Sequence, residues 1–268
     1  MEGTQVVERL WEPARAFSRA LVVVAHPDDA EFGAAGTIAR WVAMGTDVRY
    51  VVVTDGASGS ADPEMTVERL AELREAEQRA ACASLGVTSV EFLGHRDGYL
   101  EPTIPLRREV AAAIRRHRPE AVVTLDPSTR WSPQGYINHP DHRAVGDLVL
   151  HSVNPAASTR LWDPSLLDDG LEPWDIAELW MMSFSTGDLL VDITETFDDK
   201  IAALREHATQ LNGWDPEPWM RQMNGALGAH VDRPLCEGFT VLKMRVLDET
   251  GSDAVRDKPP TNPRPTRD

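Results

Sequence analysis

Leu21-Val22-Val23-Val24-Ala25-His26-Pro27-Asp28-Asp29-Ala30-Glu31 decides how the rest of the chain is read. An unbroken apolar run rich in valine suits a strand buried on both faces, the environment of a parallel sheet. A histidine and three carboxylates then crowd onto the turn that follows. Acids this close repel one another and a cation among them removes the repulsion; imidazole with carboxylate is a ligand set suited to zinc. The same acids also suit a second role, since Asp28, Asp29 and Glu31 could cap a following helix whose dipole favours negative charge. The local string leaves both readings open.

Working outward, residues 48–54 form another valine-rich run, and 36–44 between the two runs has the composition of a helix. Residues 64–85 place Leu70, Leu73, Ala76, Ala80 and Ala83 close to the helical period, with Gly86 as the stop. A third strand is predicted at 90–93, a helix at 104–117, a fourth strand at 121–125 and a helix at 142–153. This alternation predicts an α/β fold, a Rossmann-like, mostly parallel sheet with right-handed crossovers and helices on both faces. In such sheets active residues gather at the carboxyl ends of strands, where His26, Thr54, His95 and Asp126 fall. From 154 onward Pro and Trp are dense; strands are predicted at 178–184, 189–193 and 239–246 and a helix at 196–207, a smaller C-terminal β-containing lobe. We expect a single domain over 1–248, with a core at 18–153 and the completing lobe at 154–248. The Pro-rich, charged segment 249–268 has no apolar period and is expected to be a disordered tail.

Composition bounds the function. With 268 residues and 42% apolar, the chain can build a substantial core. Forty-three acidic against 27 basic residues give a formal charge of −16, a field that repels phosphate backbones, so no nucleic-acid partner is expected. Residues 1–15 carry mixed charges and no apolar run reaches membrane-spanning length, so neither secretion nor a membrane partner is expected. Cys82 and Cys236 are far apart and in no metal-type spacing; two free thiols fit the cytoplasm, with Cys82 a core residue of its helix. A homo-oligomer is left open.

A second cluster, Asn138-His139-Pro140-Asp141-His142-Arg143, follows the fourth strand and again sets imidazole and carboxylate across a proline. A catalytic zinc takes three protein ligands and keeps a position free. His26 and Asp29 supply two, so one histidine of this cluster can supply the third and leave the other for proton transfer or oxyanion contact. Either histidine alone would suit a surface or helix-cap position; two clusters of one composition at strand ends of one sheet argue for a shared site.

With these two motifs the chain resembles the LmbE-like or PIG-L deacetylases, which remove acetyl groups from N-acetylglucosamine-containing and related substrates. The resemblance covers roughly residues 20 to 210. It rests on Ala25 to Glu31 with the entry Gly33-Ala34-Ala35-Gly36-Thr37-Ile38, on His139 to Arg143, and on Thr54-Asp55-Gly56, Arg74 to Glu77, Leu93-Gly94, Asp97-Gly98 and the helix carrying Lys200, His207 and Gln210. It implies His26, Asp29 and His142 as ligands of Zn2+, with Fe2+ or another divalent ion an alternative. It also implies Asp28 as the general base, His139 as a cationic residue facing the tetrahedral intermediate, and Asp141 as the partner that orients it. Family members act on sugar lipids, thiol-sugar precursors, glycopeptide antibiotics and chitin fragments; a small-molecule N-acyl amino-sugar conjugate is the first expectation.

Arg74 and Asp97 match substrate-contacting positions of the family, although Arg74 could instead pair with Glu75 or Glu77 on a helix surface and Asp97-Gly98 could be a plain turn. The loop 127–138 departs from the commonest family pattern and carries Trp131 and Tyr136, which either stack on substrate or pack the loop. Trp214 and Trp219, in a second Pro-rich loop, admit the same two readings. The competing functional class is a non-catalytic Rossmann-like nucleotide- or phosphate-binding module, or a silent metal-binding protein. Against the first, the turn is acidic and G-x-G-x-x-G spacing is absent; against the second, Asp28 and His139 accompany all three ligands.

Overall fold

A computed structural model describes residues 9–12, 15–131, 135–184 and 187–245; the expected tail, 249–268, lies outside the described residues. The N-terminal half runs β1 (Arg9–Leu10), β2 (Arg19–Val24), α1 (Asp29–Gly33), α2 (Ala35–Ala43), β3 (Asp47–Thr54), α3 (Val67–Ser84), β4 (Ser89–His95), α4 (Ile104–His117), β5 (Ala121–Leu125) and α5 (Pro140–His151). The second half adds α6 (Ser165–Asp168), β6 (Glu178–Ser183), β7 (Leu189–Asp192), α7 (Phe197–Arg205), α8 (Ala208–Leu211), α9 (Glu217–Gly228) and β8 (Cys236–Lys243).

The eight strands among the described residues join one sheet in the order β1-β7-β8-β6-β5-β2-β3-β4, in which β8 runs antiparallel to both of its neighbours. The α/β reading therefore stands, and the second half extends the same sheet through the parallel pairing of β5 with β6. Leu21 to Val24 on β2 have no exposed surface. Burying each such side chain stabilises the fold by roughly 1.5–3 kcal/mol, which is why so continuous an apolar run occupies the centre of the sheet. α1, α2, α3 and α7 pack together, as do α4 and α5 with the turn that follows.

Much of the tryptophan content is core: Trp41 and Trp180 meet edge to face at 5.0 Å, and Trp11 reaches Trp180 at 5.8 Å. Gly36 lets α2 close on the C-terminal half, since a Cβ there would meet Ile193 at 2.8 Å. The segment read as a second Pro-rich loop is in part helix. Pro218 sits in the first turn of α9, where its missing N–H costs no hydrogen bond, and Met220, Asn224 and Leu227 form the buried stripe. No helix among the described residues is long and apolar enough to cross a membrane.

Candidate metal centre and active site

β2 ends at Val24, and Ala25 and His26 carry the chain over its carboxyl end to the turn at Pro27 and Asp28. Asp29, first residue of α1, folds its carboxylate back, so that Oδ2 accepts the backbone N–H of Ala25 at 3.1 Å and of His26 at 2.8 Å. Its Oδ1 then lies 3.0 Å from His142 Nε2. His26 Nδ1 is 3.2 Å from the same nitrogen and 3.6 Å from Asp29 Oδ2. His142 Nδ1 faces Asn138 Oδ1 at 3.0 Å; a carbonyl oxygen only accepts, so the ring proton sits on Nδ1 and Nε2 presents its lone pair. His26 Nδ1, Asp29 Oδ1 and His142 Nε2 thus converge, two imidazoles and one carboxylate, a donor set that fits a divalent cation. Asp28 is the N-cap of α1 and makes no side-chain cap, while Asp29 and Glu31 lie in the first turn, where the helix dipole favours their charge.

On its other edge His26 Nε2 lies 3.0 Å from Asp97 Oδ1 and 3.4 Å from Asp141 Oδ2. Burial opposes a charge on His26, but Asp29, Asp141, Asp97 together push its pKa up to about 12. The pocket is thus strongly electronegative where a cation would sit. Burial likewise works against ionisation of Asp29, yet His142 and His26 hold it well below the usual carboxylate range. Asp28 differs: burial, countered by Arg74 and reinforced by Asp29, pushes it up to about 6, in the range of a carboxylate able to exchange protons near neutrality.

His139, the N-cap of α5, accepts the Asp141 backbone N–H on Nδ1 at 3.3 Å, which puts the neutral ring's proton on Nε2. Burial and the neighbouring His26 lower its pKa. That favours a neutral donor over the cation expected from the sequence. The Asp141 carboxylate is committed elsewhere: it is fully buried and accepts N–H from Gly98 at 2.7 Å and Leu100 at 3.3 Å. It bonds His139 through its backbone N–H, and its carboxylate tethers the loop after β4. Tyr136 has its pKa raised, first by burial and then by the charge of Asp29.

The family of PIG-L GlcNAc-PI de-N-acetylases matches residues 21–153, which hold both clusters. Diacetylchitobiose deacetylase of Thermococcus kodakarensis is 33% identical over 213 residues, 78% of each chain. The 1D-myo-inositol 2-acetamido-2-deoxy-alpha-D-glucopyranoside deacetylase of a Mycobacterium species (strain KMS) is 31% identical over 72% of this chain and 74% of its own. Among solved structures, N,N'-diacetylchitobiose deacetylase from Pyrococcus horikoshii superposes with a TM-score of 0.77 at 30% identity, covering 85% of this chain and 84% of that one. The chain belongs to the PIG-L de-N-acetylase family. It is accordingly an amide hydrolase of the deacetylase class.

In this PIG-L protein the structure brings His26, Asp97, His139 and Asp141 within 4.8 Å of one another by their ligand atoms, and His26, His139 and His142 likewise. Arg74 is only 3% exposed and pairs with neither Glu75 nor Glu77. Its guanidinium donates to Gly56 O, Pro27 O and Asp28 Oδ2, the last at 3.1 Å. Arg74 is therefore seen paired with Asp28 beside the cluster, where the resemblance implied a substrate contact. Gly56 is required here, with φ at +62° and room for no Cβ beside Arg74 and Pro27. Asp97 is no plain turn residue, since it also accepts the Ser58 N–H. His95 pairs with Glu109 at 3.0 Å.

Trp131 is 69% exposed and its backbone bridges to Ile137. Tyr136 is 59% exposed on the same rim. Trp214 and Trp219 form a half-exposed tilted pair at 6.2 Å. Two residues at the site carried no role in the sequence reading. Asn138 fixes the tautomer of His142, and Gln78 accepts the Asp28 backbone N–H at 3.1 Å. The signal for Gln78 was spacing: Leu70, Arg74, Gln78 and Cys82 recur every fourth residue on the buried face of α3, where an arginine and an amide need partners. The nucleotide-binding alternative also meets a structural obstacle, because the Gly36 and Thr37 N–H groups opening α2 are taken by the buried Glu237 carboxylate.

Proposed function

We propose that this chain removes the acetyl group from a small N-acetylglucosamine conjugate, with Zn2+ held by His26 Nδ1, Asp29 and His142 Nε2. The observation that carries the reading is the convergence of those three donor atoms beside a largely buried carboxylate, Asp28, that is no ligand. A zinc-type ion at such a site supplies Lewis acidity toward water and toward an amide carbonyl. Asp28, its Oδ2 occupied by Arg74, takes the proton of the attacking water on Oδ1 and returns it to the departing amine. His139 donates from Nε2 to the amide oxygen as negative charge develops there, a contact of the oxyanion-hole kind. Asp97 orients His26 from behind, as carboxylates do for metal-ligating imidazoles.

The substrate class is supported by the relatives, whose names specify diacetylchitobiose and a glucosaminyl-inositol, and by Trp131 and Tyr136, whose exposed rings on the loop before the HPDH segment suit a sugar face. Both cysteines are free and buried, which supports a cytoplasmic location. The test is amine release from N,N'-diacetylchitobiose, N-acetylglucosaminyl-inositol and N-acetylglucosamine by the full chain. We expect release from at least one by the zinc-loaded protein, loss on chelation and recovery on adding Zn2+. Turnover by protein free of metal, or silence toward every N-acetylglucosaminide, would overturn the proposal.

A further inference from the structure

Asp28 sits in a backbone conformation that a residue with a Cβ disfavours, φ 93° and ψ −23°. The left-handed region costs on the order of 1 kcal/mol or more for such a residue and persists only where its surroundings impose it. α1 offers no side-chain cap in return. The constraint comes from α3. Arg74 Nη2 donates to Pro27 O on one side of the strained residue, and Gln78 Oε1 accepts the Asp28 N–H on the other.

An amide side chain has an accepting end and a donating end, and it can turn over unless something fixes it. Gln78 is fixed from behind. Its Nε2 donates to Glu31 Oε1 at 3.0 Å, and a carboxylate oxygen suits only the NH2 end, so Oε1 must face Asp28. Glu31 is held in turn by His207, whose Nε2 lies at ion-pair distance, 3.3 Å, from Glu31 Oε2. Gln78, Glu31 and His207 have no exposed surface and come from three separate elements, α3, α1 and the junction of α7 with α8. None belongs to the ligand set or touches the reacting atoms in the proposed reaction. Such polar groups are costly to bury without a purpose for their orientation.

We propose that Gln78, oriented by Glu31 and His207, is a positioning residue that locks the Asp28 backbone in its left-handed turn and so keeps the Asp28 carboxylate facing the site. The inference rests on the reading of Asp28 as the base. Truncating the accepting end while keeping length and volume, Gln78→Met, leaves the Asp28 N–H without a partner. Glu31→Gln keeps the shape but allows the Gln78 amide to turn over.

The test uses the full chain and two readouts. In metal-free protein, the Asp28 amide should exchange with solvent about ten- to a hundredfold faster in Gln78→Met than in the parent. In zinc-loaded protein acting on N,N'-diacetylchitobiose, kcat should fall about ten- to a hundredfold in Gln78→Met and in Glu31→Gln, with KM and metal content unchanged. The double variant should be no slower than the worse single one. The decisive background is Asp28→Asn: once the base is gone, its positioning cannot matter, and Gln78→Met should have no further effect on rate. A general packing defect would cost the same factor in both backgrounds, and that result, or an Asp28 amide as protected as in the parent, would overturn the inference. Undiminished turnover in Asp28→Asn itself would instead sink the functional reading beneath it. Should Gln78→Met fail to fold, Glu31→Gln decides by the same comparisons.

Discussion

Two groups of buried charge lie within the same fold and are paired in opposite ways. Lys200 and Glu237, with no more than 1% of their surface exposed, meet at 2.7 Å. Lys200 also donates to the carbonyls of Glu31 and Phe32, and Glu237 also accepts from Gly36 and Thr37. Every strong donor and acceptor there has a protein partner. At the end of β2, by contrast, Asp29, Asp97 and Asp141 surround His26 while two imidazole nitrogens face each other at 3.2 Å. On the proposed reading, a cation completes that group. Buried charge that is satisfied by the chain holds the C-terminal half onto α1 and α2; the buried charge crowded around His26 is where the proposal places the reacting centre.

The sharpest way to break this contrast is to damage the satisfied pair. Lys200→Met leaves Glu237 as an uncompensated buried charge, and breaking such a pair costs about 3–5 kcal/mol. We expect that loss in urea unfolding, with the folded fraction still binding metal at full stoichiometry; unchanged stability would show that the pair is not structural. His139→Ala, at the unsatisfied group, should do the reverse. Turnover should fall about a hundredfold or more through loss of a donor to the developing oxyanion, with melting temperature and metal content as in the parent. Loss of metal in that variant would move His139 into the ligand set.

Much of this was legible in the sequence because it is local. The runs under β2, β3 and β5, the helix α4 and the two acid-histidine clusters each occupy 14 residues or fewer, and their periods and compositions point one way. What escaped joins residues far apart. Glu237 lies 201 residues from the Gly36 N–H it accepts, and Gln78 lies 47 residues from Glu31; no pattern within either segment announces the partner. Arg74 was visible as an unusual residue, but its destination depends on how α3 packs over the β2 turn. α9 was misread because Pro216 and Pro218 suggested a loop, whereas prolines in a first helical turn are favourable. The place of β8 between β6 and β7 follows from packing that a strand's own residues do not specify.

Smaller effects sharpen the comparison. His207 lies between the two groups, facing Glu31 on α1 and Asp28, with Arg74 on α3 opposing. Burial works against its charge, but Glu31 and Asp28 raise its pKa above 6.5. Its contribution to stability is therefore fully present below about 6.5 and lost as pH rises through the raised value, about 1.4 kcal/mol for each unit of elevation. Unfolding of metal-free protein should show a decline in stability as pH rises above about 6.5 which His207→Gln flattens; an equal slope in both would remove His207 from the buried charge. Smallest of all, Trp131→Ala should raise KM severalfold toward N,N'-diacetylchitobiose with melting temperature unchanged, since the ring is exposed at the rim. An unaltered KM would leave the ring without a part in binding.

The neighbouring acids Asp28 and Asp29 provide the most direct test, because the geometry gives one a salt bridge to Arg74 and the other a place facing two imidazoles. Metal stoichiometry and deacetylation rate should be measured on Asp28→Asn and Asp29→Asn side by side. Asp28→Asn should retain about one divalent ion per chain while turnover falls by roughly a hundredfold to ten-thousandfold, and Asp29→Asn should lose the ion itself. An Asp28→Asn protein stripped of metal, beside an Asp29→Asn protein that keeps both metal and rate, would contradict the assignment of base and ligand.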